Sequence, residues 1–79
     1  MKFDNVIDIQ GVYTSNLWKN YYAAQFVVKQ GGVKFRVRMP YKTEKEAHCA
    51  LKSVMQTGWA PAPAYRPLIH MLDKNGRVL

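Results

Sequence analysis

Seventy-nine residues make one small domain, whose core can bury only about 60–65% of the surface the unfolded chain exposes. With 48% hydrophobic residues the chain has enough apolar material to fold, and with a single cysteine it can form no internal disulfide. Twelve Lys+Arg against five Asp+Glu leave +7, which suits an anionic partner, nucleic acid foremost, although small domains also carry such charge for solubility.

The lone cysteine fits a reducing compartment. The opening Met1-Lys2-Phe3-Asp4-Asn5 places an acid where a signal peptide needs its apolar run, and no apolar stretch approaches membrane-spanning length. A stand-alone cytoplasmic protein with no membrane association is therefore expected.

Val6 to Thr14, VIDIQGVYT, sets Ile7 and Ile9 against Asp8 and Gln10, the period of a half-buried strand. Ser15-Asn16 reads as a turn. Tyr21 to Lys29 is rich in aromatic and β-branched residues and predicts a second strand. Gly31-Gly32 supplies the positive φ of a tight hairpin. Val33 to Met39, VKFRVRM, alternates strictly, with Phe35, Val37 and Met39 one way and Lys34, Arg36 and Arg38 the other. Pro40 is expected to end this third strand.

Thr43 opens a helix. Its hydroxyl can accept from the amide of Glu46, whose side chain can reach back to the Thr43 amide as a capping box. Ala47, Ala50, Leu51, Val54 and Met55 fall on one stripe, and Gly58 fits the C-cap. Lys45, Cys49, Lys52 and Gln56 occupy the opposite face. From Trp59 the chain turns to APAPAYRP, an extended connector, and then LIHMLDKNGRVL, where Asn75-Gly76 predicts a two-residue hairpin turn.

The predicted fold is α+β: a three-stranded antiparallel sheet packed on one helix, in the order β-β-β-α, followed by an extended C-terminal tail ending in a short hairpin. Residues 1–58 form the sheet-plus-helix domain and 59–79 a Pro-rich connector and docking tail. Ile7, Ile9, Tyr22, Ala24, Phe26, Phe35 and Val37 are expected beneath the helix. Leu68, Met71 and Leu72 are expected to dock on the domain, with the helix surface around His48 and Cys49 as one seat. The other face of the sheet, with Asp8, Gln10, Tyr21, Ala23, Gln25, Lys34, Arg36 and Arg38, is left open.

Tyr22-x-Ala24-x-Phe26, the glycine hairpin and Tyr41-Lys42-Thr43-Glu44-Lys45-Glu46-Ala47-His48, together with Gly11-Val12 at the first strand, resemble the ethylene-response-factor (APETALA-type) DNA-binding domain and the amino-terminal domains of phage and transposon integrases. The resemblance spans Gly11 to about Thr57. It implies that the open sheet face enters the major groove of duplex DNA, through Gln25, Lys34, Arg36 and Arg38, with Lys42 nearby. Arginines at alternate strand positions can fork onto guanine edges or phosphates. The chain departs from the family at Asp8 and Gln10, where the family carries arginines, and at Tyr22, where it carries tryptophan. An aspartate there repels phosphate unless a cation pairs with it.

The same basic residues can instead be a solvated edge that discourages sheet-to-sheet aggregation. Trp18, Tyr13 and Tyr21 can stack on unpaired bases, or Trp18 can cap the end of the core. His48, Cys49 and His70 lack a zinc-ligand spacing, and no acid pair or nucleophile–base arrangement stands out, so neither an enzyme nor a cofactor is expected. Cys49 is expected under the returning tail or at a contact with another chain.

Two functions follow from these readings. The first is a small accessory or regulatory DNA-binding protein of phage or mobile-element type. The alternative is a phage-type inhibitor or adaptor that blocks an acidic surface of a host nucleic-acid-processing protein, with His48, Cys49 and Lys52 as its second contact. Double-stranded RNA as ligand and a homodimer as assembly stay open.

Overall fold

A computed structural model describes all residues from Met1 to Leu79. The elements run β1 (Val6–Thr14), β2 (Tyr22–Gln30), β3 (Val33–Tyr41), α1 (Glu44–Thr57) and β4 (Leu68–Leu72). All four strands join one antiparallel sheet in the order β1-β2-β3-β4. The sheet thus has one strand more than the sequence predicts. The extra strand comes from the C-terminal tail, which docks on the free edge of β3 and not on the helix. An extended apolar segment gains a row of backbone hydrogen bonds at a sheet edge that the side of a helix cannot offer.

The helix packs on β1, β2 and β3 and does not touch β4. Beneath it lie Ala24, Phe26 and Val28 of β2 with Val37, Met39 and Tyr41 of β3, met by Ala47, Ala50, Leu51 and Val54 of α1. The alanines at 47 and 50 have no reach, so helix and sheet approach closely. Phe3 adds an edge-to-face contact with Phe26, ring centroids 5.0 Å apart. Its segment is held by Phe3 N–H donating to the Gly58 carbonyl at 2.7 Å.

Two core assignments change. Ile7 is 47% exposed, because β1 carries register breaks between Val6 and Asp8 and between Ile9 and Gly11. At the first break Ile7 is the extra residue of a β-bulge, and Val6 packs against the core with Ile9 and Val12. Met55 is 63% exposed, at the margin of the helical stripe where no strand lies under it.

Pro40 sits inside β3 opposite Ala23 and does not end the strand. Its carbonyl accepts from Ala64 N–H at 2.8 Å, on the side away from β2. The absent N–H is therefore missing from the strand's outer edge and not from the β2 ladder. At the helix N-terminus Thr43 Oγ accepts from Glu46 N–H at 3.1 Å, as expected. The Glu46 carboxylate, however, accepts from the Thr43 hydroxyl at 3.0 Å and not from the Thr43 amide. The C-terminal hairpin also differs. Asn75 keeps a negative φ, Gly76 alone is left-handed, and Asp73 Oδ1 accepts from the amides of both Asn75 and Arg77. An Asx-type turn with a glycine bulge thus replaces the two-residue turn.

No helix is long and apolar enough to cross a membrane.

Candidate nucleic-acid interface

Strand pairing sorts the open face into cross-strand rows. One row is Asp8, Val27, Arg36 and His70, and the next is Gly11, Gln25, Arg38 and Leu68. Flanking them, Lys29 pairs with Lys34 and Leu72 at one end, while Tyr13, Ala23 and Pro40 close the other. Lys34, Arg36 and Arg38 therefore stand in one column about 6.6 Å apart, set by the two-residue repeat of a strand.

The polar groups are tied together across three strands. Arg38 Nε–H donates to Gln25 Oε1 at 2.6 Å, and Gln25 Nε2 donates to Gln10 Oε1 at 2.6 Å. Gln10 Nε2 in turn donates to Asp8 Oδ2 at 3.3 Å. This relay fixes the orientation of Arg38 while leaving its terminal nitrogens free of any carboxylate. Asp8 meets an amide and not a cation. The one contact between a carboxylate and a basic side chain lies elsewhere, with His48 Nε2 3.6 Å from Glu44 Oε1 on the helix.

Within the column Lys34 is exposed, while Arg36 and Arg38 are half-buried. Arg36 Nε and the Nδ1 of His70 opposite are both covered and without a hydrogen-bond partner. Polar atoms left so are uncommon in folded proteins. Burial first, and Arg38 second, lower the Arg36 pKa from its ordinary value. A guanidinium loses so little of its charge this way that the column stays cationic at neutral pH.

The residues expected to bind nucleic acid divide accordingly. Gln25, Lys34, Arg36 and Arg38 share the open face, and Lys42 is exposed in the bend after β3, at the same end as Tyr21 and Tyr22. The second expected group lies apart from them. His48, Cys49 and Lys52 are exposed on the outer face of α1, on the far side of the sheet. The tail does not cover them, but the connector runs alongside: Tyr41, Lys45, Glu46, Cys49, Pro61 and Ala62 line a groove of about 240 Å³. His70 is on the open face, away from His48 and Cys49.

Lys29 and His70 also belong to this face, where the sequence reading does not place them. Lys29 was legible, since hairpin pairing across Gly31-Gly32 puts it opposite Lys34. His70 was not, because its place depends on β4 joining the sheet in a register that no local pattern sets. Compared with protein-family models, curated proteins and solved structures, the chain matches none.

Proposed function

We propose that this chain binds duplex DNA through the open face of its sheet and acts as a small accessory or regulatory protein. The observation that carries the reading is the cationic column Lys34, Arg36 and Arg38, joined by Lys29, on a face that α1 leaves bare and that no carboxylate neutralises. Cations at strand spacing suit phosphates, and a β-ribbon fits the major groove. Gln25, braced by Arg38 and Gln10, offers an amide to a base edge.

Asp8 does not veto this function. In its row it is separated from Arg36 by Val27, about 10 Å from strand to strand. A unit charge at that distance in water is worth about 0.4 kcal/mol, against the release of counterions from several phosphates. Its repulsion falls on the β1 margin of the face.

The test is fluorescence anisotropy with a labelled mixed-sequence duplex, comparing the parent chain with the Lys34→Ala/Arg36→Ala/Arg38→Ala variant after circular dichroism has verified its fold. Binding at low salt by the parent, weakened at least 100-fold in the variant, is the expected result. A parent chain that ignores duplex at low salt overturns the proposal and directs the search to an acidic protein surface.

A further inference from the structure

Beyond the basic column the sheet ends in a group of aromatic side chains that duplex binding does not use. The β1–β2 loop supplies Leu17, Trp18, Lys19 and Tyr21, and the connector supplies Tyr65 and Arg66, around a shallow depression of about 560 Å³. The two segments lie 44 residues apart and are pinned together by Tyr21 and Tyr65. Their rings meet edge to face with centroids 5.1 Å apart, and Tyr65 Oη donates to Tyr21 Oη at 3.4 Å. Backbone bonds fix both segments: Tyr21 N–H to the Trp18 carbonyl at 3.0 Å, and Ala64 N–H to the Pro40 carbonyl at 2.8 Å.

This arrangement is poorly explained as core. Tyr65 is 51% exposed and Leu17 is 63% exposed, and Trp18 is only partly covered. A second depression, of about 430 Å³, continues from the first through Lys19 and Tyr21, and there the lining changes to Thr14, Ser15, Asn16 and Asn20. Aromatic side chains thus adjoin amides and hydroxyls, with Lys19 and Arg66 among the lining residues and no acid in either lining.

We infer that the Trp18–Tyr21–Tyr65 depression is a site for an unpaired nucleobase of single-stranded nucleic acid. The aromatic rings stack on the base, the amides of Asn16 and Asn20 lie in the adjoining depression, and Lys19 and Arg66 take the flanking phosphates. Stacking on aromatic side chains with basic residues along the strand is how sequence-tolerant single-strand binders work. The position gives the site a further consequence. Tyr22 pairs with Tyr41, so Tyr21 and Lys42 share the end of the sheet, four residues and about 13 Å beyond Arg38. That is about four base-pair steps of 3.4 Å. A duplex on the basic column would bring its terminus to the aromatic site, and a duplex with a single-stranded overhang is the combined ligand. The base site itself does not depend on duplex binding.

The experiment uses the full chain with Trp59→Phe, so that Trp18 is the sole tryptophan. Oligo(dT) of 12 nucleotides is titrated while Trp18 emission is followed, with an abasic strand of equal length and charge as control. The expected result is quenching by oligo(dT) and not by the abasic strand. Tyr65→Ala, an exposed position, should weaken oligo(dT) binding by about 5- to 150-fold, the range for losing one stacked base, and Tyr65→Phe should largely retain it. Equal response to both strands, or an affinity for oligo(dT) unmoved by Tyr65→Ala, overturns the inference. Blunt duplex is run in parallel: its failure to bind while oligo(dT) still quenches sinks the platform reading alone, and the reverse outcome sinks the base site alone.

Discussion

Tyr41 ends β3 with its ring inside the core and its hydroxyl donating to the Pro61 carbonyl at 2.7 Å, so one side chain ties sheet, helix and connector together. Burial, followed by the nearby Glu46 carboxylate, pushes its pKa up to about 12. The folded chain therefore holds the neutral phenol more strongly than the unfolded chain, whose tyrosines ionise near 10. That preference is fully present below about pH 10 and is lost as pH rises to about 12, a loss on the order of 2–3 kcal/mol. Tyr41→Phe should cost about 1 kcal/mol at pH 7.5 through the missing hydrogen bond and should then fall less steeply in alkali. Urea unfolding of both proteins at pH 7.5, 9.5 and 11.5 checks this. Parallel curves would mean that Tyr41 is not the alkaline weak point. The pairing itself was invisible beforehand: the sequence marks Tyr41 as a residue before a helix, and nothing local says that Pro61, twenty residues on, returns to it.

At the scale of elements, local signals carried what local physics decides. The three consecutive strands, the glycine hairpin, the Thr43 cap and the Gly58 stop all follow from periodicity and turn chemistry; β2 is shifted by one residue and β3 runs on through Pro40 to Tyr41. Most failures come from pairing at a distance, whereas the Asn75-Gly76 turn and the Glu46 reach-back are local expectations that other local hydrogen bonds replace. Strict alternation puts Ile7 inside with Ile9, but the bulge at Ile7 turns Val6 inward in its place while Asp8 stays on the open face, and the bulge's position depends on the register with β2. The tail could be read as extended without the edge it would seek being evident. The face that carries the cationic column was therefore legible, whereas its fourth-strand neighbours, His70 and Leu68, and the docking of Tyr65 on Tyr21 were not.

Gly58 shows how such long-range pairing constrains a local device. Its φ of 80° ends the helix, and a Cβ there would lie 2.7 Å from the Phe3 carbonyl oxygen, a backbone atom that cannot swing away. Gly76 has a φ of 82° with open space around it. Gly76→Ala should thus cost only the left-handed strain, about 1–2 kcal/mol. Gly58→Ala should cost about 2–4 kcal/mol, because the N-terminal segment must also move and Phe3 loses its contact with Phe26. Urea midpoints of the two variants decide it, and equal costs would show that the Phe3 segment yields freely.

At the scale of the whole molecule, two layers fill a body of 33 × 28 × 18 Å, with the cationic column on one broad face and the outer side of α1 on the other. Net charge is shared by both faces, so affinity alone cannot say whether position or total charge matters. Salt dependence can. If Lys29, Lys34, Arg36 and Arg38 each displace one counterion, log K should fall with log salt at a slope near −3.6. Removing the three β3 cations should bring it to about −0.9, the share of Lys29. The His48→Ala/Cys49→Ala/Lys52→Ala variant removes charge from the far side of the sheet, beyond the roughly 10 Å screening length at 0.1 M salt. Its slope should stay near −3.6. Should both variants lose slope in proportion to the charge removed, the molecule would be binding as a diffuse polycation and the open face would have no privileged role. A slope that depends on which face is stripped makes the column the binding surface, and leaves the outer helix side with Cys49 free for other contacts.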